Sequence, residues 1–149
     1  MVGSYRHGVD AKGRVAIPAR FRGGLPEGSV LARGLERRLV IWPPQEWEEM
    51  GRRMRADLRG PELRAWERQH FANARPVELD AQGRILIDAE NRRYADIGDR
   101  CVFVGLGNRV ELVGESIWDA EDAGMTPERF TELYDIATGA RPAASAPTA

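Results

Sequence analysis

One nine-residue stretch occurs twice in the chain. Val9-Asp10-Ala11-Lys12-Gly13-Arg14-Val15-Ala16-Ile17 recurs as Leu79-Asp80-Ala81-Gln82-Gly83-Arg84-Ile85-Leu86-Ile87, with Asp, Ala, Gly, Arg and the final Ile unchanged. The correspondence runs on through Ala19/Ala89 and Arg22/Arg92. After a one-residue slip it resumes at Gly34-Leu35/Gly105-Leu106, Arg38/Arg109 and Trp47/Trp118. A supersecondary unit carried twice usually packs against its own copy. Each copy spans roughly 45 residues, close to the ~40 below which a lone core rarely holds. Two halves sharing one core are therefore expected.

Bulk properties narrow the class. At 149 residues, with 30% charged and 42% hydrophobic side chains, the chain suits one soluble domain or two small halves fused into one. No apolar run approaches ~18 residues, so no membrane span is expected. Residues 1–6 lack the apolar stretch of a signal peptide, which points to the cytoplasm. The single cysteine, Cys101, allows neither an internal disulfide nor a thiolate zinc site and reads as a small buried hydrophobe. His7 and His70 lack ligand-spaced partners, so neither metal nor cofactor is expected. No nucleophile elbow is present, and Gly105-Leu106-Gly107 lacks the third glycine and long helix of a dinucleotide fingerprint. It reads as a hairpin turn, and no enzyme is expected. The net charge of −1 hides an uneven distribution. Arg6, Lys12, Arg14, Arg20 and Arg22 face only Asp10 in residues 1–22, whereas residues 111–135 hold eight acidic groups against Arg129. A locally positive face is thus open to a protein that is nearly neutral overall.

Along the chain, residues 4–9 read as a strand, Asp10–Gly13 as a turn, and Val15/Ile17 as the return strand of a hairpin. Gly13 is placed for a positive φ. Pro18 suits the start of a short helix over 19–22, and 30–32 and 39–42 read as strands. Pro43-Pro44 opens a helix with Trp47, Met50, Met54 and Leu58 on one face. Gly60-Pro61 is the expected break before a second helix carrying Leu63, Trp66 and His70. The second copy is then expected as strand 77–79, turn, strand 85–87, helix 89–94, strands 101–104 and 110–113, and a helical turn near Trp118. Thr126-Pro127-Glu128 looks like a capped helix start, with Phe130, Leu133, Tyr134 and Ala137 as its buried face.

The residues 10–22 and 77–87 closely resemble the two signatures of the MraZ family of bacterial regulators, and 105–112 resembles its closing hairpin. The resemblance covers roughly residues 1–135, and departs from the family pattern at Asp88, where the first copy has Pro18. It implies an α+β fold: a pseudo-twofold double swapped-hairpin β-barrel of the AbrB type, with flanking helices. Its halves would be 4–49 and 76–119, with connecting helices over 50–75. The capped start at Thr126 gives a C-terminal helix over 126–138, and the Ala, Pro, Ser and Thr composition beyond it, outside the shared pattern, gives a disordered tail over 139–149. The resemblance further implies a sequence-specific regulator of the cytoplasm and nucleoid that binds double-stranded DNA. Such a protein acts mainly as a repressor of its own operon and the division and cell-wall gene cluster, through short direct repeats upstream of its own gene. Self-assembly into a closed, octamer-like ring is also implied. The alternative is an oligomeric scaffold or protein-interaction module that does not bind DNA.

Candidate DNA-binding residues are Lys12, Arg14, Gln82, Arg84 and Arg20, with Asp10, Gly13, Asp80 and Gly83 positioning the turns. Arginine can donate two hydrogen bonds to guanine O6 and N7, while lysine favours phosphate and glutamine adenine or phosphate. Otherwise Asp10 and Arg14 form a local ion pair worth at most ~1 kcal/mol, and the two roles are compatible. Arg20 and Arg22 suit either phosphate contact or a solvated surface. The four tryptophans sit at positions that favour core or subunit interface over base stacking.

Overall fold

A computed structural model describes residues 1–139 and divides them between two compact units, Met1–Glu115 and the segment from Ser116. The tail expected to be disordered lies, from residue 140 on, outside the described residues. The first unit holds β1 (Val2–Gly8), β2 (Arg14–Ala16), α1 (Ala19–Arg22), β3 (Val30–Arg33), β4 (Leu39–Trp42), α2 (Pro44–Asp57) and α3 (Gly60–Ala72). It continues with β5 (Arg75–Pro76), β6 (Arg84–Leu86), α4 (Ala89–Tyr94), β7 (Arg100–Leu106) and β8 (Val110–Gly114). The repeat is thus built twice as strand, short helix, hairpin.

Strand pairing interleaves the two copies. A six-stranded sheet runs β1-β7-β8-β4-β3-β5, and β2 pairs with β6 as a separate antiparallel ribbon. Each strand pair of the sheet is antiparallel, so the fold is mixed α+β. Its edges, β1 and β5, are not paired with each other, so the sheet is open where a closed barrel was expected. The hairpins expected at the start of each copy also differ. β1 does not return on β2; it pairs along its whole length with β7 of the other copy. The turn survives locally, with the Asp10 N–H donating to the Arg14 carbonyl at 3.0 Å, but the ladder beyond it belongs to the other half. No strand forms over 77–79; only Arg75–Pro76 pairs, with β3. Proline has no N–H to give a ladder and suits an edge strand. The Val77 N–H instead donates to the Ser29 carbonyl at 2.9 Å.

Burial follows strand alternation. Val15, Ile17, Phe21, Leu31, Leu39 and Ile41 of the first copy share one cluster with Ile85, Ile87, Ile97, Cys101, Phe103, Val110 and Leu112 of the second. Each large side chain fully withdrawn from water there contributes about 1.5–3 kcal/mol. Half a core per copy could not supply this, and the expectation of one shared core holds. Burial pushes the Cys101 thiol up to about 12, which keeps it an inert apolar group. Ala32, Val40 and Trp42 alternate to the opposite face and meet Trp47, Met50 and Ala74. The imidazole of His70 is stacked between Trp47 and Trp66, at 4.2 and 4.4 Å between ring centroids, and so joins α2 to α3. The break between these helices falls at Leu58-Arg59; Gly60 and Pro61 open α3 instead of dividing it from α2. Proline at the first turn loses no intrahelical bond.

From Glu115 the chain forms α5 (Glu115–Gly124) and α6 (Pro127–Thr138). Thr126 caps α6 by accepting from the Arg129 N–H at 3.1 Å. The face expected to be buried is open: Phe130, Leu133 and Tyr134 are 54%, 39% and 62% exposed. Helical spacing identifies a stripe that burial would favour, but it does not supply the surface that covers it.

Candidate nucleic-acid interface

Each repeated turn is organised by its aspartate. Asp10 Oδ1 accepts the backbone N–H of Lys12 at 3.0 Å and of Arg14 at 2.8 Å, while Oδ2 accepts Arg14 Nε at 2.7 Å. Asp80 does the same for Gln82, Arg84 and Arg84 Nε, each at 2.9 Å. These donors, the backbone N–H of the arginine first, hold both carboxyls below the ordinary aspartate range. Four residues of separation bring the arginine back over the carboxylate because Gly13 and Gly83, at φ +88° and +76°, turn the chain sharply. Such values suit glycine and strain any residue with a Cβ.

The two turns sit against each other. β2 and β6 pair with Arg14 opposite Leu86, Val15 opposite Ile85 and Ala16 opposite Arg84, so a local twofold passes through the Val15/Ile85 pair. The Ile17 N–H donates to the Gly83 carbonyl at 3.1 Å and the Ile87 N–H to the Gly13 carbonyl at 2.9 Å, which repeats the symmetry. Arg84 Nη1 also approaches Asp10 Oδ2 at 3.7 Å. The two repeated turns are therefore ends of one ribbon. Its buried side is Val15 and Ile85, 1% and 3% exposed; Arg14, Ala16, Arg84 and Leu86 alternate to the other side. Lys12 and Gln82 are exposed at the turns, and Arg20 is exposed on α1.

Two further arginines belong to this site. A Cβ on Gly83 would come within 2.6 Å of the Arg22 guanidinium, and one on Gly13 would run into the guanidinium of Arg92. Each arginine thus lies over the turn of the opposite copy. Arg22 is held there by donating from Nε to the Ile17 carbonyl at 3.1 Å. The match of Arg22 to Arg92 was visible in the repeat, but which turn each covers depends on the crossed pairing of the halves. Burial, then the charges of Arg100 and Arg22, keep His7 below the usual imidazole range.

The symmetry is imperfect in ways that bear on chemistry. Asp10 engages Arg14 through Nε, whereas Arg84 also gives Nη2 to Gln82 Oε1 at 3.3 Å and turns Nη1 toward Asp10. Arg14 therefore keeps more of its donor fork available for an outside acceptor. The departure at position 88 is a change of device. Pro18 precedes α1 with no side-chain cap, while Asp88 accepts the Asn91 N–H at 3.4 Å to begin α4. Among the described residues, no group of three or more His, Cys, Asp or Glu is arranged to hold a metal ion, and no helix is long and apolar enough to cross a membrane.

Comparison with known proteins places the whole repeated region. The family model described as "MraZ protein, putative antitoxin-like" matches residues 1–69 and again 70–130. A transcriptional regulator MraZ from Symbiobacterium thermophilum is 42% identical over 135 residues, covering 90% of this chain and 97% of the relative. One from Desulfitobacterium hafniense is 41% identical over 128 residues, 82% of this chain and 90% of the relative. One from Thermoanaerobacter pseudethanolicus is 38% identical over 136 residues, 91% and 94% of the two chains. These relatives are named as regulators, not as enzymes. With both copies matched in sequence and the paired turns built alike, this chain belongs to the MraZ family.

Proposed function

We propose that this chain is a transcriptional regulator that binds double-stranded DNA through the β2–β6 ribbon. The observation that carries the reading is the pair of aspartate-held arginines on one outward face. A two-stranded ribbon fits the major groove of B-DNA, about 12 Å wide, where guanine presents O6 and N7 to a guanidinium. Arginines already fixed by carboxylates lose less freedom on binding than free ones. Arg14 and Arg84 are the base readers, Lys12 and Gln82 engage phosphate or adenine, and Arg20 with the bracing pair Arg22 and Arg92 extends the positive surface. The crossed strand pairing supports a swapped-hairpin arrangement of halves 4–49 and 76–119.

On this reading the protein works in the cytoplasm at the nucleoid. It represses its own operon and the division and cell-wall gene cluster from short direct repeats upstream of its own gene. One copy offers too few contacts for tight binding, and a closed ring of copies raises the effective concentration of each ribbon after the first engages. The open apolar stripe of α6 favours a second reading, a scaffold held by protein contacts alone. A salt titration of binding to the duplex upstream of the gene separates them. Neutralised phosphates release counterions, so affinity should fall about 0.9 decades per phosphate for each decade of salt. Affinity unmoved by salt, or no binding, would leave the scaffold.

A further inference from the structure

The outward face of the ribbon carries one group that the arginine sites leave unexplained. Leu86 is 63% exposed, and it stands directly across the strand pair from Arg14. A single leucine on a protein surface is ordinary. The place of this one is not. In residues 11–20 and 81–90 the alternation of buried and open positions coincides, except at two places: Ala16 against Leu86, and Pro18 against Asp88. The second difference is accounted for by helix capping. The first puts a large apolar side chain into water in the middle of a face otherwise made of two arginines and an alanine.

We propose that Leu86 contacts the C5-methyl group of a thymine, beside the base that Arg14 reads, and so sets the direction in which the protein lies on its site. This rests on the DNA-binding reading above. Residues directly opposite on antiparallel strands have Cβ atoms about 4.5–5.5 Å apart, close enough to address neighbouring bases from one ribbon. In the major groove the thymine methyl is the one apolar group a base edge offers, and apolar side chains are its partners. The pseudo-twofold mate of Leu86 is Ala16, opposite Arg84, which lacks the reach. A ribbon with two equal ends would read an inverted repeat. With leucine at one end and alanine at the other, the site gains polarity, as a series of direct repeats requires.

The test begins with duplexes selected from a randomised pool by the full-length wild-type chain. Each thymine of the selected site is then replaced by deoxyuridine, which removes only the methyl. Affinities are measured by anisotropy for wild type, Leu86→Met and Leu86→Ala, with circular dichroism for folding. One thymine should emerge whose methyl loss weakens wild type and Leu86→Met about fourfold, the equivalent of one buried methylene. Leu86→Ala should already be weaker by a similar factor and indifferent to that methyl. If no thymine methyl matters to wild type, or Leu86→Ala keeps the same dependence, the assignment is overturned while DNA binding stands. If wild type selects no sequence, the DNA-binding reading itself falls.

Discussion

The two copies of the repeat agree most closely where they touch and differ most where they face outward. Around Asp10 and Asp80 the same five backbone and side-chain bonds recur within a few tenths of an ångström, and Val15 and Ile85 face each other across the local twofold. On the open side Lys12 is answered by Gln82, Ala16 by Leu86 and Arg20 by Glu90. The flanking strands differ too: seven residues of β1 on β7, against two of β5 on β3. Arg38 and Arg109 have diverged as well. Arg38 is buried at 7% and pairs with Glu111 at 3.4 Å, whereas Arg109 lies over the Trp42 ring. Glu111 sits above the usual carboxylate range, since burial outweighs the charges of Arg38 and Arg109. Packing between copies constrains the inner positions jointly, and nothing comparable ties the outer ones.

The largest effects should come from the shared interior. Ile17→Ala and Ile87→Ala empty mated positions, 1% and 0% exposed, and each should cost about 2–5 kcal/mol. Both should lower one common denaturant transition of residues 1–115. Hydrogen exchange that loosened only the mutated half would break the idea of a joint core.

Next come the turn glycines, which should not be equal. An alanine Cβ at Gly13 would stand 2.6 Å from the Ile87 carbonyl as well as striking Arg92, whereas at Gly83 the three nearest atoms all belong to the movable guanidinium of Arg22. Left-handed backbone costs ~1–2 kcal/mol for a residue with a Cβ, so Gly83→Ala should lose about that and Gly13→Ala more. Thermal unfolding of the two variants decides it, and equal losses would contradict the difference in crowding.

For binding, Arg14→Ala should cost about 1–3 kcal/mol and relax selectivity at one base pair. Arg84→Ala should cost less, because its donors are partly spent on Gln82 and Asp10. Lys12→Ala should weaken all sequences alike and lower the salt slope by about one. Titrations with circular dichroism as control measure all three. A folded Arg14→Ala with unchanged affinity and selectivity would remove it as a reader.

The smallest effect is in acid. Asp10 and Asp80 have their native values depressed, so their contribution to stability is whole above the ordinary aspartate value near ~3.9 and fades as pH falls through the native ones. Carboxyl resonances should report both titrating below the ordinary value. Either titrating normally would end the equivalence of the turns.

Much of this was legible in the residues. The doubled Asp-x-x-Gly-Arg stretch, with apolar positions alternating after it, determined that two similar turns would exist and that Val15, Ile17, Ile85 and Ile87 would be buried. Pro18 and Gly23 bounded α1, and the repeat carried those bounds over to α4, where Asp88 caps in place of proline, because capping and turn chemistry act within a few residues. Alternation says which side of a strand is buried and is silent on which strand lies beside it. The tertiary structure alone therefore decided that β2 pairs with β6 and β1 with β7, and that Arg22 and Arg92 cross over to the opposite turns. It also placed Leu86 in the open, because exposure depends on what other parts of the chain arrive to cover a surface.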